Sequence, residues 1–190
     1  MDPFPLIILV MIVFFPLVWV IATYNGLVRL RNHCQESWSG IDTELKRRYD
    51  LIPNLVETVK GYAKHEREVF ERVAEARTKA IASTGSPQSQ AQDENVLVGS
   101  LRSLFAVVEK YPDLKASASF LKLQEELTDT EDRIQAARRF YNANVRDLNV
   151  RVEVFPSNLI AGLFGFKKEE FFEIERACER SVPKVDITTS

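Results

Sequence analysis

The sequence predicts an all-α protein, in which an N-terminal transmembrane helix is followed by an antiparallel bundle of about four long helices. The prediction rests on an uncharged N-terminal run, on apolar residues at helical spacing further on, and on the lack of strand-like alternation. The 190 residues are 45% hydrophobic with only 7 Gly and 2 Cys, which excludes a disordered or disulfide-framed chain. A net charge of -2 argues against a dedicated nucleic-acid binder.

The transmembrane helix is predicted at residues 4–22, which carry no charge. At about 1.5 Å per residue this run is about 28 Å long, close to the thickness of a hydrocarbon core. A cleaved signal peptide is the alternative, but its apolar region would be shorter and a cationic residue should precede it, whereas only Asp2 stands there. Pro16 is expected to kink this helix without breaking it.

The orientation is predicted from the charges that flank this run. Arg29 and Arg31 follow it closely, so the positive-inside rule places the N-terminus outside and the helical domain in the cytoplasm. We therefore expect a single-pass protein of the inner membrane. Cys34 and Cys178 show no metal-ligand spacing and are expected to be two reduced, buried thiols.

The first helical run carries one apolar stripe of nearly heptad period. Its members are Leu27, Leu30, Cys34, Trp38, Ile41, Leu45, Tyr49, Ile52, Val56, Val59, Ala63, Phe70 and Val73. The stripe keeps its phase across Pro53, which favours a kinked but continuous helix from Tyr24 to Ala82, about 88 Å long. In the alternative, one helix ends near Tyr49 and another starts at Asp50 or Asn54.

The remaining elements follow from polar stretches and prolines. A surface loop is predicted at Ser83 to Glu94 and a shorter helix at Asn95 to Lys110. After a corner at Tyr111 to Asp113, a second long helix is predicted from Ser117 or Ser119 to about Phe155.

Pro156 should end that helix, and Ser157 to Arg180 should hold one or two short helices broken at Gly165. We thus expect an N-terminal segment at 1–23, a helical domain at 24–182 and a flexible tail at 183–190.

Five segments carry a resemblance to a known family. They are RRYDLIPNLVETVKGYAKHE at Arg47 to Glu66, YPDLKA at Tyr111 to Ala116, FLKLQEEL at Phe120 to Leu127, RRFYNANVRDLN at Arg138 to Asn149, and FPSNLIAGLFGFK at Phe155 to Lys167. The chain resembles the LemA family, in unbroken order from about Tyr24 to Phe172. Asn144 and the loop at Ser83 to Glu94 are slight departures from the family pattern.

The resemblance implies one N-terminal membrane helix, with the N-terminus outside, that is followed by a long-helix bundle on the inner side of the membrane. It implies no established catalytic activity. It suggests membrane-associated partners, among them an HtpX-type membrane zinc protease, and a relative in magnetosome membranes. It assigns no catalytic or binding residue to this chain.

A search for chemistry in the sequence gives no catalytic, cofactor-binding or metal-binding residue. His65-Glu66 lacks a second histidine four residues on, and neither His33 nor His65 has a glutamate three residues before it, as a di-iron bundle requires. Gly162 to Gly165 lacks the lysine of a phosphate loop. We expect both histidines on helix surfaces.

Two sets of polar residues can each be interpreted as structural or as functional. Lys46-Arg47-Arg48 could bind lipid headgroups, but at over 30 Å from Ala22 along a straight helix the favoured interpretation is pairing within the chain. The candidate partners are Glu57, Glu125, Glu126 and Glu131. Asn54, Asn142, Asn149 and Tyr141 are expected to fix helix register through buried hydrogen bonds rather than to bind a ligand.

The segment Phe155 to Phe172 is unusually rich in phenylalanine and leucine. The favoured interpretation is a C-terminal hairpin that closes the open end of the bundle. The alternative is a docking surface for a partner or for the membrane interface, since a large exposed apolar patch is rarely without function.

Two hypotheses of function follow. The first is a non-enzymatic, membrane-anchored scaffold or interaction module for membrane proteins, which self-associates through the stripe from Leu27 to Leu45 because a second helical run would be too short to cover it. The second is an enzyme that binds a metal through Glu125, Glu126, Glu131 and His65 across the bundle, with an unknown reaction.

Overall fold

The structure is a computed structural model that describes residues 4–175, without the side chains of residues 5–9. Cys178 and the predicted tail at 183–190 lie outside the described residues. Over 4–175 the chain forms helices and no strand, which confirms the all-α prediction. The helices are α1 (Phe4–Tyr62), α2 (Arg67–Ala82), α3 (Pro87–Val108), α4 (Pro112–Lys115), α5 (Ala118–Glu153) and α6 (Ser157–Leu163).

The described chain divides into two compact units. The first unit contains residues 4–43 and 136–172, and the second contains residues 44–135 and 173–175. Helices α1 and α5 therefore contribute their two halves to different units.

The beginning of α1 has the character of a membrane helix. Its side chains from Val10 to Trp19, including Pro16, are all apolar, and they are exposed around the whole helix circumference. In the part of the chain that the structure describes, α1 alone is long and apolar enough to cross a membrane. The predicted N-terminal helix of membrane type is therefore confirmed in its length and its apolar composition.

Helix α1 runs through Pro53 without a break, so the favoured prediction of continuity at this proline is confirmed. The prediction that the same helix reaches Ala82 is wrong, because α1 ends at Tyr62 and the chain turns at Ala63–Glu66 before α2. Gly61 weakens the helix at this point, since glycine loses the most backbone entropy in a helix. The apolar stripe keeps its spacing through the turn, so periodicity did not reveal it.

The part of the apolar stripe that lies in the first unit, from Leu27 to Ile41, is largely buried there. Leu27, Cys34 and Ile41 are nearly inaccessible to solvent in the single chain. An uncovered stripe was the stated reason for predicting self-association, and that reason no longer holds. Self-association itself stays a prediction.

In the second unit, α2 and α3 pack antiparallel. Lys79 Nζ lies 2.9 Å from an Asp93 carboxylate oxygen at one end. Lys110 Nζ lies 3.7 Å from Glu66 near the other end. The core between the helices of this unit is formed by buried apolar residues, which include Leu45, Ile52, Leu55, Val59, Val73, Leu97, Leu101, Leu104, Phe120, Leu127 and Ile134.

Helix α3 begins within the predicted loop, so the loop at Ser83 to Glu94 and the helix start at Asn95 are both corrected. The Ser86 side chain accepts a hydrogen bond from the Ser89 backbone N–H at 3.4 Å, as an N-cap residue does. Pro87 occupies the first helical position, where its missing N–H is harmless. This local start signal outweighed the polar composition of the stretch.

In the first unit, α5 runs antiparallel to α1. Asn144 Nδ2 donates to the His33 carbonyl at 3.4 Å, and the Trp38 and Tyr141 rings lie 5.2 Å apart. The bounds of α5 agree with the predicted second long helix to within one or two residues at each end.

After α5, the chain forms α6 and then turns at Gly165, whose φ of 71° favours glycine. Residues 166–172, here called the strap, then run extended back along the first unit. The predicted break at Gly165 is confirmed. Helix α6 is one of the one or two short helices that were predicted, and residues 166–175 form no further helix. Residues 176–180 lie outside the described residues.

Candidate functional site

Four polar side chains meet in the interior of the second unit. This charged cluster consists of Arg48 and Tyr49 of α1, Glu94 of α3 and Glu131 of α5. Arg48 is 0% exposed, and its Nη1 lies 2.7 Å from Glu131 Oε1 while its Nη2 donates to Glu94. The Tyr49 hydroxyl donates to the other oxygen of Glu94. One guanidinium thus links three helices through two carboxylates.

The electrostatics of the charged cluster keep Arg48 ionised. Burial disfavours its charge, but Glu131 and Glu94 outweigh that effect and raise the pKa of Arg48. Burial, and then Glu94, raise the pKa of Tyr49 above its ordinary value, so the hydroxyl stays protonated and keeps donating. A group that keeps one protonation state can maintain a fixed hydrogen bond, but it is poorly suited to transfer a proton.

A few buried polar atoms beside the cluster have no partner in the described structure. They include Arg48 Nε, Glu131 Oε2 and Gln135 Nε2. Within residues 4–175, however, three histidine, cysteine or carboxylate side chains do not come together at any point that could hold a metal ion. The cluster can therefore bind helices together, but it offers a metal only the two carboxylates that already bind Arg48.

A second polar contact explains how α1 passes Pro53. In an α-helix the N–H of residue 53 would donate to the carbonyl of Tyr49, and proline has no N–H. Arg77 of α2 supplies the missing donor, since its Nε donates to the Tyr49 carbonyl oxygen at 2.7 Å. The side chain of a neighbouring helix therefore replaces the absent hydrogen bond.

In the first unit, asparagines of α5 bind the strap by its backbone. Asn142 Nδ2 donates to the Phe172 carbonyl at 3.0 Å, and Asn142 Oδ1 accepts from the Phe172 N–H at 2.9 Å. Asn149 makes the same pair with Glu169, at 3.0 and 2.9 Å. Between them, the Tyr141 hydroxyl donates to the Glu170 carbonyl at 3.0 Å.

The spacing of these asparagines matches the strap. Asn142 and Asn149 are seven residues apart on a helix, which is about 10.5 Å. Phe172 and Glu169 are three residues apart on an extended chain, which is about 10 Å. Each amide acts as a strand neighbour would, by offering one donor and one acceptor to one residue.

The second unit uses a similar contact once, in which one amide binds the backbone of two residues. Asn95 of α3 donates to the Glu173 carbonyl at 3.2 Å and accepts from the Glu175 N–H at 2.8 Å. Arg102 adds an ion pair with Glu175 at 2.8 Å. Residues 173–175 are thereby attached to α3.

The sequence-predicted polar residues meet different outcomes. The pairing of Arg48 with Glu131 is as predicted, whereas Glu94 was missed because it was assigned to a loop. The Ser86-Pro87 start signal could have placed it on a helix. Asn142 and Asn149 form internal hydrogen bonds as expected, but to the strap rather than between helices.

Asn54 is exposed on α1, away from these contacts. Cys34 is a buried free thiol, and burial together with nearby carboxylates raises its pKa to about 11.

The residues of the enzyme hypothesis are not assembled into a site. His65 and Glu125 are exposed, Glu126 lies 4.0 Å from Lys122, and Glu131 is engaged by Arg48. His33 is also exposed, 3.8 Å from Glu36.

A shallow groove of about 400 Å³ lies between α2 and α3. Its lining combines small residues such as Gly99 and Ser103 with the charged ends of Arg72, Glu75 and Lys79. Such a surface suits contact with another protein better than capture of a small molecule, because it is shallow and open to solvent.

Comparisons with known proteins agree with this structure. The LemA family profile matches residues 37–187. Magnetosome protein MamQ 2 of Paramagnetospirillum magneticum is 28% identical over 175 residues, which cover 79% of this chain and 64% of that protein. Magnetosome protein MamQ of Magnetospirillum gryphiswaldense is 26% identical over 174 residues, which cover 78% of this chain and 64% of that protein.

Protein LemA of Metamycoplasma hominis is 28% identical over 170 residues, which cover 87% of this chain and 74% of that protein. The chain therefore spans slightly less than two thirds of the two MamQ proteins. The family profile covers well over half of the chain, and the five motifs quoted from the sequence lie within it. With its exposed apolar N-terminal helix, this protein is a helical, membrane-associated member of the LemA family.

Proposed function

We propose that this protein is a single-pass membrane protein whose helical body acts, without catalysis, as a scaffold for other membrane proteins. The observation that supports this most is the use of its buried polar groups. Arg48 is bound by Glu94 and Glu131 inside the second unit. Asn142 and Asn149 of α5 are occupied by the strap. These groups maintain the fold and leave the outer helix surfaces for contacts.

The proposed location is the inner membrane, with the N-terminus outside and the helical domain in the cytoplasm. Arg29 and Arg31, directly after the apolar run, support this orientation. The free thiol of Cys34 agrees with a reducing compartment.

Cysteine accessibility tests the orientation. In a Cys178→Ser background, Ser103→Cys on exposed α3 should react with a membrane-impermeant maleimide only after the cells are permeabilised. Asp2→Cys should react in intact cells. The reverse pattern would contradict the proposed orientation, and equal labelling of both in intact cells would contradict membrane insertion.

The proposed partners are membrane proteins, with an HtpX-type zinc protease and a second copy of the chain as the first candidates. A photo-reactive amino acid at Val96, an exposed lining residue of the groove between α2 and α3, is the direct probe. Cross-linking from the membrane-embedded protein to membrane proteins, identified by mass spectrometry and absent for a probe at exposed Phe140 of the first unit, would support the scaffold. Cross-linking that is equal at both positions, or absent at both, would contradict a defined scaffold surface.

The enzyme alternative has a separate measurement. Elemental analysis of the purified full-length protein should find no stoichiometric transition metal. One bound metal ion per chain, lost on substitution of Glu125 or His65, would overturn the non-enzymatic proposal.

A further inference from the structure

We propose that the end of the first unit nearest the apolar run, formed by the residues that follow α5 and by α6 and its C-cap, inserts into the membrane interface as a second contact with lipid. This foot is defined by Val154, Phe155, Leu159, Leu163 and Phe164. The inference rests on the proposed function, since it requires that the start of α1 spans a bilayer.

The register of α1 and α5 places the foot at the level of the membrane exit. His33 faces Asn144 in an antiparallel pair, and the same register extended by nine residues brings Tyr24 opposite Glu153, the last residue of α5. Tyr24 follows the apolar run 4–22 by two residues, or about 3 Å.

Ring contacts confirm this placement. The Tyr24 ring lies 4.8 Å from the Phe164 ring and 5.8 Å from the Phe166 ring. Arg31 lies over the Phe166 ring at 5.3 Å, so the strap leaves this level in the direction away from the apolar run. Residues 154–164 therefore form the turn of the first unit that faces the membrane side.

The foot is apolar where it is exposed. Phe155 is 74% exposed and Leu163 is 76% exposed, and the other three members are also at least half exposed. The opposite face of α6 is anchored, because Ser157, Ile160 and Ala161 are buried. The short helix thus presents Leu159 and Leu163, one turn apart, in a fixed orientation.

A lipid surface fits this foot better than water or a soluble partner. Contiguous exposed apolar patches are uncommon on proteins surrounded by water. The interfacial region extends about 5–8 Å beyond the hydrocarbon core, and apolar helix faces bury about 5–10 Å into this boundary. The contact between Tyr24 and Phe164 places the foot within that distance of the end of the apolar run.

Lys167 follows the foot in the sequence and is exposed, whereas the Lys168 ammonium pairs with Glu153. Positive charge beside an apolar patch is the arrangement that favours anionic headgroups. The probe should therefore be a vesicle that contains both zwitterionic and anionic phospholipids.

Spin-label accessibility tests the inference in the full-length protein, reconstituted in such vesicles. With Cys178→Ser as background, nitroxides are attached at Leu163→Cys and at Phe140→Cys. Phe140 is a matched control, since it is 63% exposed on α5 of the same unit. It lies beside Tyr141, which contacts Trp38, about 21 Å along α1 from Tyr24. Labelled Cys178→Ser alone gives the background from buried Cys34.

The expected result is that the label at residue 163 collides mainly with oxygen, which concentrates in lipid, and is shielded from a water-soluble nickel complex. The label at residue 140 should show the reverse. Equal collision with the nickel complex at both positions would overturn the inference. Shielding of residue 163 from both reagents would also overturn it, since a protein and not lipid would then cover the foot.

A label at Ile12→Cys separates this inference from the proposed function. If residue 12 lies in lipid and residue 163 in water, the span is correct and the foot is wrong. If both lie in water, the membrane anchor itself is wrong. Adding Phe155→Asp and Leu159→Asp should at least double the collision rate of the label at 163 with the nickel complex, while circular dichroism remains unchanged. No change in that collision rate would overturn the foot.

Discussion

The charged cluster of the second unit and the asparagine-bound strap of the first unit solve the same problem by opposite means. Each buries polar groups to hold separate segments together. In the cluster, Arg48 is bound by two carboxylates, and each charge depends on the others. At the strap, Asn142 and Asn149 use neutral amides, each of which satisfies a backbone donor and acceptor by itself. The first arrangement should fail as a whole, and the second one amide at a time.

The largest effect should come from removing the central charge of the cluster. Arg48→Met leaves Glu94 and Glu131 buried without their counter-charge, and we expect a loss of about 3–5 kcal/mol in the free energy of unfolding. Chemical denaturation followed by circular dichroism in detergent measures it. The adjacent Arg47→Met, at an exposed position, should change stability by less than about 0.5 kcal/mol. Equal effects of the two variants would show that the charged cluster does not stabilise the fold.

A smaller effect is expected where a charged side chain supports the backbone. Arg77→Ala leaves the Tyr49 carbonyl without a donor and should destabilise the protein by about 1.5–3 kcal/mol. In a Pro53→Ala background the restored N–H of residue 53 can donate to that carbonyl, so the same substitution should cost clearly less. A double-mutant cycle of these variants gives the coupling. A coupling near zero would show that Arg77 does not compensate for Pro53.

A substitution in the asparagines that hold the strap should have a local effect on stability. Asn142→Asp keeps the acceptor for the Phe172 N–H but loses the donor to the Phe172 carbonyl. We expect a loss of about 1–3 kcal/mol in the free energy of unfolding. Hydrogen exchange should accelerate at the backbone N–H of Phe172 more than at that of Glu169, which Asn149 still holds. Asn54→Asp, at an exposed position, is the control. Equal acceleration at both amides would mean that the strap opens as one piece.

The smallest effect concerns alkaline pH and is absent below about pH 9. Burial raises the pKa of Cys34 from 9.0 to about 11 and raises the pKa of both Tyr49 and Tyr141 from 10.0. Groups with a raised folded pKa stabilise fully below their unfolded pKa and lose this contribution as the pH rises. Stability should therefore fall above pH 9 to 10, by less than about 1.4 kcal/mol per pH unit for each group.

Tyr141→Phe should make this alkaline fall shallower, as seen in denaturation midpoints measured between neutral and alkaline pH. Tyr24→Phe is the control, because Tyr24 is exposed. If both variants retain the full slope, Tyr141 does not contribute to it.

Much of the fold was predictable because long helices show a periodic spacing of apolar residues in the sequence. The apolar run, the passage of α1 through Pro53 and the bounds of α5 followed from spacing and from proline chemistry. The turn at Ala63–Glu66 was not predictable in this way, since the stripe on either side keeps one phase and only Gly61 marks the helix end. The start of α3 was hidden for a different reason, because a polar surface turn of a helix resembles a loop in composition.

The polar sites were predictable only in part. Arg48 was expected to pair within the chain, and Glu131 was among its candidate partners. Its second partner, Glu94, depends on packing between α1 and α3, which no local pattern reports. Asn142 and Asn149 of α5 stood out beside the apolar stripe, but their true target is an extended segment 20 to 30 residues further along the chain. That segment shows neither helical nor strand-like spacing in the sequence.

The strap has one further consequence for anyone who wishes to modify this protein. Because Asn142 and Asn149 bind main-chain atoms of the strap, these hydrogen bonds do not depend on the side chains of the strap. The buried Phe172 ring, which packs on Trp38, has to be kept. Phe171, whose side chain faces outward, could be replaced by a dye or an affinity handle without loosening the attachment. An outward-facing position on a segment that is held by its main chain is a convenient place to install new chemistry.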